Sequence, residues 1–152
     1  MEPWQRIVII SYSVFSLFGA VLGYYQCKFK KNSLGGNFIF NLIGAFVWAD
    51  NVVFGTFWFL GSLVILYFNN WNLFLFAQSL FWLVRSVGET IYWFNQQFST
   101  INRNPAKNYW ITKIFHDEYT VWFVHQIMWQ CLTVVFIILS LYFGRLFFGG
   151  VK

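Results

Sequence analysis

Arg85 and Glu89 are four residues apart within Leu73 to Phe94, a run made almost entirely of large apolar side chains. On a helix that spacing puts both on one face, where a guanidinium and a carboxylate can pair. An ionisable group near the middle of a bilayer costs about 2.5–3.5 kcal/mol on insertion scales, so such residues turn toward a partner, a cavity or another subunit. Counted back from Phe94 at 1.5 Å per residue, Glu89 lies about 8 Å and Arg85 about 14 Å along the axis, close enough to the membrane edge for an arginine to extend toward water. Two roles fit the pair. It is a structural ion pair, or it is a charged element of an ion or proton path or of a contact with a neighbouring subunit.

Asp50 and Asn51 interrupt the apolar run from Gly36 to Phe68. A continuous helix there would carry both inside the membrane, where with Asn41 they could line a polar cavity. A broken one would use them as caps, a role that Asp and Asn favour. His125, Gln126 and Gln130 form a polar stripe suited to hydrogen bonds with a neighbouring helix. His116 and His125, with Asp117 and Glu118 between them, raise the possibility of a metal or haem. Nine residues of helix would separate the two rings by about 13.5 Å, however, and the chain contains neither His-x-x-x-His nor Glu-x-x-His. No metal and no cofactor is expected. Gly-x-Ser-x-Gly, a Gly-rich phosphate loop and Cys-x-x-Cys are all missing from the sequence, so catalysis by this chain alone is not expected either. Cys27 and Cys131 are too few and too isolated for a disulfide framework.

The segments that must position these residues are set by composition. Of 152 residues, 59% are hydrophobic and 10% charged, against roughly 25% charged in a soluble domain; this is the composition of an integral membrane protein. A span needs about 20 apolar residues, which predicts crossings at about 7–26, 51–68, 71–94 and 120–143 in one transmembrane domain covering 1–152. Residues 36–50 are expected to lie at the interface or form a half-helix. Trp110, Ile111, Ile114 and Phe115 recur at helical spacing, which predicts an interfacial helix over 107–118. The fold class is therefore all-α: a polytopic four-helix bundle with an interfacial helix in its third loop. Ser16, Gly19 and Gly23 on the first span, with Gly55 and Gly61 on the second, are small enough to let helices approach closely.

Lys28, Lys30 and Lys31 fall in loop 27–35, and Arg103, Lys107 and Lys113 in loop 95–119. The positive-inside rule places both loops on the matrix or cytoplasmic side and both termini opposite. Topology thus accounts for the net charge of +5, and nucleic acid is not expected as a partner. Phe, at 21 residues, outnumbers Leu, a bias typical of A/T-rich genes such as those of organelles. The segment Met1 to Arg6 has no transit-type presequence character.

Two short stretches resemble known membrane families. Gly19-Ala20-Val21-Leu22 followed by Gly36 to Phe46 is similar to the first two helices of the small fluoride channels, a likeness over about 28 residues that implies a pore-lining role for Asn41. The Thr/Ser/Phe-rich break that family has in its third helix is missing from Leu73 to Phe94, and its members lack so long a third loop. Trp122-Phe123-Val124-His125 with Trp129 resembles the last helices of cytochrome oxidase subunit III, which implies a cofactor-free membrane subunit. From the residues themselves, the expected function is a non-catalytic subunit of a multi-protein inner-membrane complex of the respiratory-chain or ATP-synthase type, bound to lipid and to other membrane subunits in the mitochondrial inner membrane. The alternative is a small homo-oligomeric channel or transporter lined by Asn41, Asp50, Arg85 and Glu89.

Overall fold

The computed structural model describes residues 1–99 and 110–149. The chain is all-helical, with four long helices: α1 (Pro3–Lys28), α2 (Trp48–Phe68), α3 (Trp71–Phe98) and α4 (Glu118–Gly149). Two short 3-10 helices, η1 (Ile39–Ile43) and η2 (Trp110–Lys113), accompany them. Three of the four, α1, α2 and α4, are long and apolar enough to cross a membrane. The helices outrun the apolar segments that announce them because hydropathy marks the thickness of the lipid, whereas a helix continues until a cap or a helix-breaking residue stops it. Pro3 opens α1 at a position where its missing N–H costs nothing. Between α2 and α3 two asparagines do different work: Asn69 closes α2 in the left-handed region (φ 50°), and the Asn70 side chain accepts the Leu73 N–H at 3.2 Å to start α3.

The chain forms two compact units, Met1–Leu75 and Phe76–Lys152. In the first, α1 and α2 lie antiparallel. Trp4 meets Trp71 with ring centroids 5.3 Å apart, Arg6 Nε donates to Asn69 Oδ1 at 3.0 Å, Tyr12 meets Trp58, and Gly23 faces Asn51. The buried positions are Ile9, Ser13, Ser16, Gly19 and Gly23 on α1 and Asn51, Gly55, Trp58, Ser62 and Ile65 on α2. The α2 row steps by four and three, the 3.5-residue period that keeps one seam facing its partner; on α1 Gly19 lies against Phe40, while half-buried Ala20 faces Gly55 in the seam. At Gly55 the backbones themselves meet, since a Cβ built there would lie 2.6 Å from Ser16 O and 2.7 Å from Ala20 N.

Residues 36–50, expected at the interface or as a half-helix, hold the 3-10 helix η1 and, from Trp48 onward, the first turn of α2. Asn37 N–H donates to Phe46 O at 3.0 Å, and a bridge joins Gly36 to Val47. These contacts close residues 36–47 into a compact loop of the Ω type around η1. Gly44, at φ 76°, makes the reversal that a bulkier residue would resist. Phe40 and Ile43 turn inward and are fully buried; Phe40 packs on Phe15 and Phe18 of α1 and lies over Gly19, which has no side chain to obstruct it. The loop is a plug against α1, and its Leu42 carbonyl accepts from Tyr12 Oη at 3.4 Å. In the third connection, the helix expected over 107–118 is, from residue 110 onward, the single 3-10 turn Trp110–Lys113, closed by the Ile114 and Phe115 N–H groups donating to Ile111 O, and then irregular chain to Asp117; residues 107–109 lie outside the described residues. Four apolar residues at helical spacing do not make a helix when no long run of hydrogen bonds follows the costly first turn.

Gly55→Ala is expected to destabilise the first unit by about 1–3 kcal/mol through overpacking, measured by unfolding in mixed detergent. Gly61→Ala, whose new methyl would meet nothing within 4 Å, should be neutral or stabilising by up to about 1 kcal/mol.

Candidate functional site

In the second unit, polar side chains line the seam between α3 and α4. Phe76 stacks on Phe147, Trp82 on Phe136 and Trp93 on His125, so the helices run antiparallel over most of their length. Ser79, Ser86 and Trp93 are buried on α3 at intervals of seven, and Gln126, Thr133 and Ser140 follow the same interval on α4. The Thr133 hydroxyl donates to Ser86 Oγ at 3.0 Å, and Gln97 Nε2 to Gln126 Oε1 at 2.6 Å. These are hydrogen bonds between helices, of the kind that replaces the missing hydrophobic drive in lipid.

Arg85 and Glu89 form the ion pair that their spacing implies. Arg85 Nη2 lies 3.0 Å from Glu89 Oε1, with 19% and 13% of the two side chains exposed. That burial is deep enough for each charge to need the other and shallow enough that neither is sealed from a polar neighbour. His125 is held on two sides: its ring stacks on Trp93 at 4.5 Å, and Nδ1 lies 2.8 Å from Val121 O. That carbonyl can only accept, so the contact places a proton on Nδ1. Gln126 is buried in the seam, whereas Gln130, one turn on, is exposed on the outer face of α4. The stripe read from the sequence is therefore divided, with His125 and Gln126 turned to α3 and Gln130 turned away.

Asp50 and Asn41 belong to the other unit. Asp50 stands in the first turn of α2, and its Oδ2 accepts the Phe46 N–H at 3.2 Å, fastening the end of the Ω-type loop to the helix start. The N-cap itself is Val47, so Asp50 supports the cap from inside the helix. Asn41 lies in η1 with a buried Oδ1 that has no hydrogen-bond partner among the described residues, and the same is true of Asn37 Nδ2 and of both amide atoms of Asn51. Asn51 is fully buried, seated beneath Gly23, where any larger residue would collide with its Cβ.

Two titratable groups near the start of α4 have structural partners. Asp117 caps α4: it accepts from the Thr120 N–H at 2.8 Å and the Thr120 hydroxyl at 2.9 Å. These bonds, the backbone one foremost, hold its carboxyl below the usual aspartate value. His116 Nδ1 lies 3.2 Å from Thr112 O. No group of three or more His, Cys, Asp or Glu among the described residues is arranged to hold a metal ion. Sequence reasoning singled out Arg85, Glu89, His125 and Gln126 but missed Ser86, Trp93, Gln97 and Thr133, which meet in the same seam. The seven-residue recurrence of Ser79, Ser86 and Trp93, matched by Gln126, Thr133 and Ser140, was the available signal.

Fold and seam together define an all-helical chain, three of whose helices are long and apolar enough to cross a membrane, with polar side chains between paired helices. No protein-family model matches the chain, and no curated protein and no solved structure is significantly similar to it.

Removing one member of the ion pair takes from the other the opposite charge 3.0 Å away. Glu89→Leu is expected to cost about 3 kcal/mol, whereas the Arg85→Leu/Glu89→Leu double variant should cost less than either single one. A denaturation cycle in detergent reads the difference. Additive losses would mean that the two side chains do not depend on each other.

Proposed function

We propose that the chain is a non-catalytic, membrane-embedded subunit of a hetero-oligomeric complex, with four crossings packed as a bundle and a role in holding neighbouring subunits. The observation that carries this reading is Gln130. Its amide lies about 5 Å from the middle of α4 at 1.5 Å per residue, on an exposed face between Ile127 and Val134. An amide facing hydrocarbon is costly unless another helix supplies a partner. Ser86 with Thr133 and Gln97 with Gln126 hold the hairpin together from within, whereas Gln130 is turned outward, where it can meet a neighbour.

Support for the fourth crossing comes from the antiparallel pairing of α3 with α4. Phe76, Trp82, Ser86, Trp93 and Gln97 successively meet Phe147, Phe136, Thr133, His125 and Gln126, so α3 accompanies α4 through whatever thickness α4 crosses. The Arg85–Glu89 pair lets it do so at reduced electrostatic cost. The distribution of Lys and Arg favours loops 27–35 and 95–119 on the matrix side. The Phe-rich composition favours an organelle gene and hence the mitochondrial inner membrane, where respiratory-chain and ATP-synthase assemblies are the matching class of complex. Extraction from the native membrane in a mild detergent tests the reading: the chain should migrate with other polypeptides. Gln130→Leu should weaken their retention by about 3- to 20-fold, the range of one interhelical hydrogen bond in lipid. Migration as a stable assembly of this chain alone would overturn it.

A second reading, a small ion channel or transporter, draws on the buried amides of Asn37, Asn41 and Asn51 beside the Ω-type loop. Irregular backbone at membrane depth is tolerated where it lines a polar cavity. On this reading, vesicles reconstituted with the purified chain should pass ions, and Asn51→Leu should abolish the flux while leaving the oligomer intact. Vesicles that stay tight to every ion tested would remove it.

A further inference from the structure

The end of α1 carries three ammonium groups in four residues, Lys28, Lys30 and Lys31, on an aromatic base. Phe29 is in ring contact with both Tyr24 and Tyr25, at 6.5 and 5.6 Å between centroids. Lys28 Nζ donates to Tyr24 Oη at 2.5 Å and lies 5.0 Å from that ring and 5.6 Å from Phe29. Lys30 Nζ sits 6.0 Å from the Tyr25 ring. Two of the three ammoniums are thus positioned over rings, while all three lysines are exposed, as are the rings themselves.

The backbone fixes this group in place. Lys31 adopts the left-handed conformation (φ 52°), and the next residue, Asn32, donates its N–H to Gln26 O at 3.1 Å, turning the chain back on α1. Beyond it, Ser33 O and Gly35 O accept from the first N–H groups of α2, those of Ala49 and Trp48. The lysine segment is therefore pinned at both ends. No carboxylate occurs between Glu2 and Asp50 in the sequence, and Asp50 is engaged with the Phe46 N–H.

We propose that this collar binds the phosphodiester headgroup of an anionic phospholipid. Tyrosines at the end of a membrane-crossing helix sit at headgroup depth, and lysine stems reach outward from there. Three ammoniums at that depth complement an anionic phosphodiester whose headgroup carries no balancing cation, while the exposed faces of Tyr24, Tyr25 and Phe29 lie against the upper acyl chains. Each lysine near an anionic surface strengthens association about fivefold, so three together give on the order of a hundredfold preference.

The full chain, purified in detergent and stripped of lipid, is titrated with phosphatidylglycerol or phosphatidylcholine, and the bound lipid is counted by native mass spectrometry. Wild type should retain phosphatidylglycerol on the order of a hundredfold more strongly than phosphatidylcholine. K28Q/K30Q/K31Q should lose that preference while keeping its helical circular dichroism, and K28R/K30R/K31R should keep it. Excess inorganic phosphate should not displace the lipid, because the headgroup is held together with its acyl chains. Equal retention by wild type and the glutamine variant, loss of preference in the arginine variant, or displacement by phosphate alone overturns the proposal.

Discussion

Apolar side chains facing apolar lipid gain nothing by moving from one to the other, so two membrane helices must be held by close backbone approach and by polar contacts. Both units of this chain are built on that constraint. In the first, Gly23 and Gly55 bring α1 and α2 together until backbone meets side chain or backbone. In the second, Ser86 with Thr133 and Gln97 with Gln126 tie α3 to α4. Small and polar residues recur at seven-residue intervals in both pairs because only that period returns each contact to the same seam.

The constraint also gives meaning to the charged pair. Within a hairpin held by hydroxyls and amides, Arg85 and Glu89 are one more polar contact, made along a single helix instead of between two. Their partial burial distinguishes them from Ser86, which is fully buried, and from Gln130, which is exposed. The second unit therefore grades from a polar seam through a largely covered ion pair to an outer surface of Val134, Ile138 and Leu141, with Gln130 as a polar interruption. The Ω-type loop of the first unit follows the same economy: its apolar Phe40 and Ile43 turn inward onto α1, and its end is fastened by Asp50.

The existence and order of the four helices, and the ion pair between Arg85 and Glu89, were determined by the sequence alone. A run of some twenty apolar residues cannot satisfy its backbone in lipid except as a helix or within a closed barrel, and a four-residue interval on a helix leaves two opposite charges little choice but to meet. Helix ends were less legible, since capping depends on particular hydrogen bonds. Val47 precedes α2 where Asp50 or Asn51 was the expected cap, and Asp50 acts from inside the first turn.

Only tertiary structure decided where polar residues at similar sequence positions would face. Gln126 and Gln130 are one turn apart and look equivalent in the sequence, yet one is bonded to Gln97 and the other lies on the outer face. The direction depends on the register between α3 and α4, which the side chains of both helices set together. The same holds for residues 36–47. Their apolar composition suits an interfacial helix, but hydrogen bonds from Asn37 to Phe46 and from Phe46 to Asp50 close them into a loop. Those bonds join residues that become neighbours only after the chain has turned back on α1, and no local periodicity records them.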